Sequence, residues 1–196
     1  MLKRIKSILG IERKSVDLSD LLLSGFGSPT TSGITIGPEN AMRCAAVFGA
    51  VRVLAESLAS LPIHVYRRRP DGGRERADDH PLEAILADAA NPWCPASEFR
   101  LNMQTALSMH GNCYAWVGRA DGRVSELIPL DPRTVSVEPD RVTMEPRYFV
   151  TDGNGSRREY GRGDILHVRG VGSSLYKGDA PVMLGREAIA LSLVLE

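Results

Sequence analysis

The feature that most constrains the fold is a change of period at Met109–Val117, Met-His-Gly-Asn-Cys-Tyr-Ala-Trp-Val. Upstream, from Ser97 to His110, apolar residues recur at helical spacing, with Phe99, Met103, Ala106, Leu107 and His110 on one face. Downstream, Tyr114–Arg119 reads as a strand. Gly111 and Asn112 between them are the residue types best able to take the left-handed backbone conformation that stops a helix. A helix that passes directly into a strand excludes an all-helical or all-strand chain. The fold class expected is α+β.

The stretch before the junction is mostly helical. Gly37-Pro38 suits an N-cap and first helical position, with Glu39 near the positive end of the helix dipole. From there Val47, Val51, Leu54, Leu58 and Leu61 fall at intervals of four, three, four and three, a stripe expected to face the core. Ala45, Ala46, Ala50, Ala55 and Ala59 widen it, and Pro62 ends the helix. Ile63–Arg67 alternates as a strand, Pro70-Asp71-Gly72-Gly73 turns, and Arg74–Arg76 returns as a hairpin. His80-Pro81 opens a short helix with Leu82, Ile85 and Leu86 inward. Asn91–Pro95 breaks the chain, and Ser97 can cap the helix that follows.

After the junction the chain turns to strands. Tyr114–Arg119 and Arg123–Ile128 flank Ala120-Asp121-Gly122, a strong hairpin signal. Leu130-Asp131-Pro132 is a corner. Thr134–Val137, Tyr148–Thr151 and Arg158–Tyr160 are expected strands, with Asp152–Gly155 as a turn, and Ile165–Val168 reads as a short buried strand. Gly170–Asp179 is loop. From Pro181 onward Val182, Leu184, Ala188, Ile189, Leu191, Leu193 and Leu195 suggest a helix still running at Glu196. The chain is therefore expected to be part of a longer protein, or its last helix to be completed by another chain.

At 196 residues the chain can bury one self-sufficient core. The expected organisation is a basic N-terminal arm and flexible linker over 1–34, an ordered domain over 35–180, and the start of a helix over 181–196. The arm places Leu2, Ile5, Ile8 and Leu9 on one face, with Lys3, Arg4 and Lys6 elsewhere. Such a stripe suits a membrane surface or DNA. A helix shorter than about 12–15 residues does not persist alone in water, so docking on a neighbouring subunit, or mobility, is the plainer reading. Ser24–Gly33 is a tether by composition. Net charge is zero, which argues against a chain-wide basic surface for nucleic acid. Local basic clusters remain, at Lys3, Arg4, Lys6, Arg13 and Lys14, and at Arg67, Arg68, Arg69, Arg74 and Arg76. No apolar run reaches the length of about 18 residues that a membrane-spanning helix needs.

The chemistry-bearing residues do not assemble into a site. Cys44, Cys94 and Cys113 form no CxxC pair, and His64, His80, His110 and His167 fall in different expected elements, so no zinc site is expected. Free thiols point to a reducing, intracellular place of folding. His110 and Cys113 are close in sequence, but Gly111 separates them across a helix end and nothing forces the contact a Cys-His nucleophile needs. Gly153-Asn154-Gly155 and Gly161-Arg162-Gly163 lack the following helix and Lys-Ser/Thr of a phosphate loop. Asp78-Asp79 reads as a solvated turn beside arginines. The hairpin arginines could grip phosphate, but a blunted strand edge is the plainer role. His64 reads as one member of a strand face, because no carboxylate partner is visible. No catalytic, cofactor-binding or metal-binding residue is expected, and the chain does not read as an enzyme.

Several phrases taken in order carry a resemblance. They are Ala46-Val47-Phe48 and Val51 through Tyr66, His80-Pro81-Leu82 with Ile85-Leu86, Asn91-Pro92, Glu98-Phe99, and Gly111-Asn112-Cys113-Tyr114-Ala115. Leu127–Pro132, Asp164–Val168 and Tyr176–Pro181 follow. Their order and spacing, from about residue 40 to the end, resemble the portal (head–tail connector) proteins of long-tailed bacteriophages. Cys113 and Asp179-Ala180 depart from that pattern, where a small residue and a Ser after the glycine are usual. The resemblance implies a portal wing-like domain of several helices packed with antiparallel β-hairpins. It further implies a ring of twelve copies at one capsid vertex, through which double-stranded DNA is packaged and ejected. The implied partners are the chain itself, the major capsid protein, the terminase large subunit and a head–tail adaptor, with DNA contacted mostly by segments outside this chain. It implies residence in the virion, and in the host cytoplasm during assembly, with no cofactor. Portals of phages, prophages and gene-transfer agents look alike at this level. Two other readings are an adaptor or membrane-associated module using residues 1–14, and a head-module protease, which would need a nucleophile–base set.

Overall fold

The computed structural model describes residues 30–195 apart from Ser32. The basic arm and most of the tether expected before residue 30 lie outside the described residues. The fold is α+β: among the described residues, helices alternate with four small sheets whose pairings are all antiparallel.

Helix α1 (Pro38–Ala41) starts where Gly37-Pro38 places it, and the Asn40 side chain locks that start. Its Oδ1 accepts from the Gly37 amide at 2.8 Å, and its Nδ2 donates to the Thr35 carbonyl at 2.6 Å. The single helix expected from Pro38 to Leu61 is in fact two. Cys44 is extended (φ −73°, ψ 121°), and α2 (Ala45–Ser60) begins after it. Ile36, Ala41 and Cys44 around this break are all buried.

The buried face of α2 differs from the expected stripe. Val51, Ala55 and Ala59 are the buried residues, one every four, whereas Leu54 (56% exposed), Leu58 (39%) and Leu61 (56%) face outward. Small side chains let α2 lie close along helix α4 (Ala96–His110). Arg100 of α4 ties the end of α2 down, donating to the Ala59 carbonyl at 3.0 Å and to the Leu86 carbonyl at 2.8 Å.

The first hairpin is shorter than expected. Strand β1 covers Tyr66–Arg68 rather than Ile63–Arg67, and pairs with β2 (Arg74–Arg76). Helix α3 (Pro81–Ala87) has Pro81 first and His80 as its cap, as the sequence suggests. The expected break at Asn91–Pro95 contains a small ladder, β3 (Ala89–Asn91) with β4 (Cys94–Pro95). Pro95 rather than Ser97 stands at the N-cap of α4, so Ser97 is already helical.

Beyond α4, β5 (Asn112–Ala120) and β6 (Arg123–Leu130) form the expected hairpin, with Asp121 and Gly122 both at positive φ (50° and 75°). That is the backbone a two-residue turn between twisted strands requires. A 3-10 turn at Pro132–Thr134 makes the corner. Strands β7 (Val135–Pro139), β8 (Pro146–Thr151) and β9 (Arg157–Tyr160) form one three-stranded sheet. Strand β10 (Ile165–Arg169) crosses to pair with β5 as an edge strand. It is half-buried rather than buried, because Ile165 faces inward while Leu166 and Val168 are exposed. The final helix also divides, into α5 (Pro181–Leu184) and α6 (Arg186–Leu195), separated at Gly185.

Three apolar clusters hold these pieces. One joins α3, α4 and the β5–β6 hairpin around Phe99, Met103, Cys113 and Leu127. A second joins α1, α2, the end of α4 and the last helices around Ile36, Val51, Met109, Val182 and Ala190. A third lies between the two three-stranded sheets around Tyr114, Val137, Tyr148 and Ile165. The α4–β5 junction meets all three, since Met109, Cys113 and Tyr114 belong to different clusters.

Candidate functional site

The junction is also the most tightly built polar feature. Gly111 caps α4 in the left-handed conformation (φ 69°, ψ 0°), as its residue type suggests. Asn112 does not share that conformation; it opens β5 and is buried. Its Oδ1 accepts from the Gly178 amide at 2.8 Å and its Nδ2 donates to the Gly178 carbonyl at 2.8 Å and to the His110 carbonyl at 3.1 Å. The Gly170 amide donates to the Gly111 carbonyl at 2.8 Å. The loop after β10 is thus stitched to the end of α4 by a side-chain amide that mimics a strand partner.

His167 extends this knot. Its ring stacks on Tyr114 at 4.3 Å, its Nε2 lies 3.1 Å from Asn112 Oδ1, and its Nδ1 lies 3.3 Å from the Tyr148 hydroxyl. Asn112 Oδ1 can only accept, so Nε2 carries the proton and Nδ1 accepts from Tyr148. Burial, with Arg169 and Lys177 nearby, lowers the His167 pKa from 6.5 to about 4. The unfolded chain therefore binds this proton more readily than the folded one. Stability should be full above pH 6.5 and fall as the pH drops from 6.5 to about 4. The expected loss is roughly 2 kcal/mol, after allowing for partial exposure of the ring. Urea midpoints across this window check it: His167→Gln should flatten the slope, and parallel slopes would contradict the assignment.

A second polar cluster centres on Glu83, which is buried on the first turn of α3. Its carboxylate accepts from the Val65 amide at 2.6 Å and from Arg76 Nη2 at 2.7 Å, and lies 2.8 Å from His64 Nδ1. The Val65 amide, ahead of His64 and Arg76, holds this carboxyl below its usual range. Here a side chain takes the place of a ladder partner, which is why β1 starts only at Tyr66. His64 therefore has the carboxylate partner that the sequence did not show. His-Pro-Leu-Glu places a Glu three residues after the cap, a spacing that ordinarily signals a capping box and was the available hint. The hairpin arginines are mostly committed to carboxylates, Arg67 to Asp79 at 3.0 Å, Arg69 to Glu75 at 2.9 Å and Arg76 to Asp78 at 2.7 Å.

His110 and Cys113 are not brought into a catalytic pair. Cys113 packs in the α3–α4–hairpin cluster, where burial pushes its thiol up to about 11 and the thiol donates to the Val168 carbonyl. A neutral thiol is a poor nucleophile. His110 instead lines a different cleft with Asn102, Asp131 and Pro132. Among the described residues no three His, Cys, Asp or Glu side chains gather as metal ligands, and no helix is long and apolar enough to cross a membrane.

What the fold does present is surface. The outward side of α2 carries Leu54, Leu58 and Leu61, and α6 adds Leu191, Val194 and Leu195. An apolar groove of about 260 Å³ lies between these helices, lined by Val47, Ala50, Leu54, Val182 and Ile189. These residues leave apolar surface exposed on α2 and α6.

Comparison with known proteins places this architecture. The family pattern described as phage portal protein matches residues 45–196. Protein BeeE of Escherichia coli (strain K12) is 34% identical over 143 residues, covering 73% of this chain and 85% of BeeE. The probable portal protein of Streptomyces phage phiC31 is 28% identical, over 94% of this chain and 42% of its own length. The portal protein of Enterobacteria phage HK97 is 25% identical, over 83% of this chain and 38% of its own length. A chain from the neck of an empty gene-transfer-agent (GTA) particle superposes with a TM-score of 0.65 at 21% identity, over 79% of this chain and 43% of that one. One from the virion of a native GTA particle gives 0.61 at 20% identity, over 86% and 45%. The present chain thus spans less than half the length of both phage portal proteins.

Proposed function

This chain belongs to the phage portal protein family, and from that premise we propose that it is a structural subunit of the ring at a capsid vertex. Double-stranded DNA enters and leaves through that ring, the terminase large subunit and a head–tail adaptor dock on it, and the major capsid protein surrounds it. Residues 35–180 act as the wing, residues 181–196 lead out of it, and the segments lining the DNA channel lie outside this chain. The ring assembles in the host cytoplasm and stays in the virion. The role is structural and not enzymatic, which suits a chain whose buried Cys113 thiol is held neutral.

The observation that carries this reading is the apolar flank of α2. The stripe has the period of a core-facing helix, yet Leu54 and Leu58 face outward in the single chain. A neighbouring copy is the partner that would bury them. Leu54→Asp with Leu58→Asp should leave the fold intact, since substitutions at exposed positions change stability by about 0.5 kcal/mol or less each. The same variant should lose the ring. Light scattering on the native-length protein reads this directly: a folded variant of low mass is expected, and a variant with the ring mass of the wild type would overturn the assignment of this face.

A further inference from the structure

We propose that the basic pocket between β8, β10 and the Gly170–Asp179 loop binds a phosphoryl oxyanion. The pocket holds about 260 Å³ and is lined by Tyr148, Arg162, His167, Arg169 and Tyr176, among others. Tyr148, the partner of His167 Nδ1, is in its lining, and Asn112, the partner of Nε2, is not.

The hydrogen-bonding groups of its walls divide cleanly. The neutral ones are already used: Tyr148 donates to His167 Nδ1, His167 Nε2 donates to Asn112, and the Tyr176 hydroxyl donates to the Met144 carbonyl at 3.0 Å. The groups left over are cationic. Arg169 donates Nη1 to the carbonyls of Ser174 and Leu175 and has no carboxylate partner among the described residues. Arg162 has no hydrogen-bond or ion-pair partner among the described residues. Lys177 is not a lining residue, but it follows Tyr176 in the loop, has no hydrogen-bond or ion-pair partner among the described residues, and its charge reaches His167 together with that of Arg169.

Three carboxylates on neighbouring segments make their contacts elsewhere. Asp164 accepts from the Gly161 amide at 3.3 Å and pairs with Arg119 at 3.5 Å. Asp179 accepts from the Ser173 amide at 3.0 Å, and Asp140 accepts from the Val142 and Thr143 amides at 2.8 Å. A cavity whose neutral donors are committed and whose lining charges are both guanidinium groups without a carboxylate partner favours an anionic ligand that accepts hydrogen bonds. Two guanidinium forks match the oxygens of a phosphate better than a single point charge does. The cavity is larger than a phosphate alone, which leaves room for the sugar or base that carries it beside the Tyr176 ring.

Such a phosphate can come from a nucleic acid strand or from a free nucleotide, and one experiment separates them. The variant is Arg162→Glu with Lys177→Glu, both exposed positions, with circular dichroism to show that the fold is retained. Fluorescence anisotropy of a labelled duplex of about 20 base pairs at about 50 mM salt is the first arm. Wild type should bind and the variant should bind about tenfold or more weakly, with a salt dependence lower by roughly 0.9 in log–log slope per lost phosphate contact. The second arm follows His167 ring signals by NMR during titration with adenosine monophosphate. Shifts in the wild type that vanish in the variant, without duplex binding, assign the site to a free nucleotide. Duplex and nucleotide binding that the variant leaves unchanged would overturn the proposal. So would equal binding of polyglutamate, which carries charge without phosphoryl groups.

Discussion

Gly111→Val should unfold the chain or come close to it, with an expected loss of about 4 kcal/mol or more. Two effects combine. A β-branched residue at φ 69° is strained on its own. In addition, a Cβ at this position would stand 2.1 Å from the Asp179 carbonyl oxygen and 2.9 Å from the Ala180 amide nitrogen. Both are backbone atoms of the loop that Asn112 holds, so neither can move without breaking the stitch. Gly155 separates the two effects, since it shares the positive φ (79°) but a Cβ there would meet nothing within 4 Å. Gly155→Ala should therefore lose only about 1 kcal/mol. Urea denaturation followed by circular dichroism measures both, and comparable losses at the two glycines would show that the close approach at Gly111 has no energetic weight.

Asn112→Ala should be the next most damaging change, at about 3 kcal/mol. The amide side chain makes hydrogen bonds to both backbone groups of Gly178, to the His110 carbonyl and to His167. Gly178 is buried, so its N–H and C=O would be left without partners and without water, at about 1–3 kcal/mol for each such group. No residue larger than glycine fits at 178, because a Cβ there would lie 2.2 Å from the Gly111 carbonyl oxygen. The loop therefore cannot be re-anchored by a new side chain at that position. Hydrogen exchange gives the specific readout. The Gly178 amide should lose its protection in Asn112→Ala while the β5–β6 hairpin keeps most of its own, and unchanged protection at Gly178 would contradict this role for Asn112.

The parts of the fold that were legible in the sequence are those set by local chemistry. Gly111 was readable as a helix stop because a left-handed position admits few residue types, and Ala120-Asp121-Gly122 was readable as a turn for the same reason. The Glu83 cluster was not, since Val65 and His64 approach it from 18 and 19 residues away and no period records such a contact. Asn112 was legible only as a neighbour of the stop, because Gly178, which it binds, lies 66 residues further on. The α2 stripe misleads for a different reason. Periodicity reports that one face is apolar, but not whether that face meets its own chain or another. Ala55 and Ala59 are small enough to pass as a margin of the stripe, yet with Val51 of the stripe itself they are the buried residues of α2, while the leucines that look like core are outside.

On the proposed role, the core-like stripe on the outer side of α2 is buried between subunits of a ring. Electron microscopy of the purified wild-type protein at its native length, with the particle mass measured in the same sample, tests this most directly. Closed rings with a single rotational symmetry are expected, with a mass that is a whole multiple of the subunit. A folded protein that remains strictly monomeric at micromolar concentration and above would contradict the portal assignment.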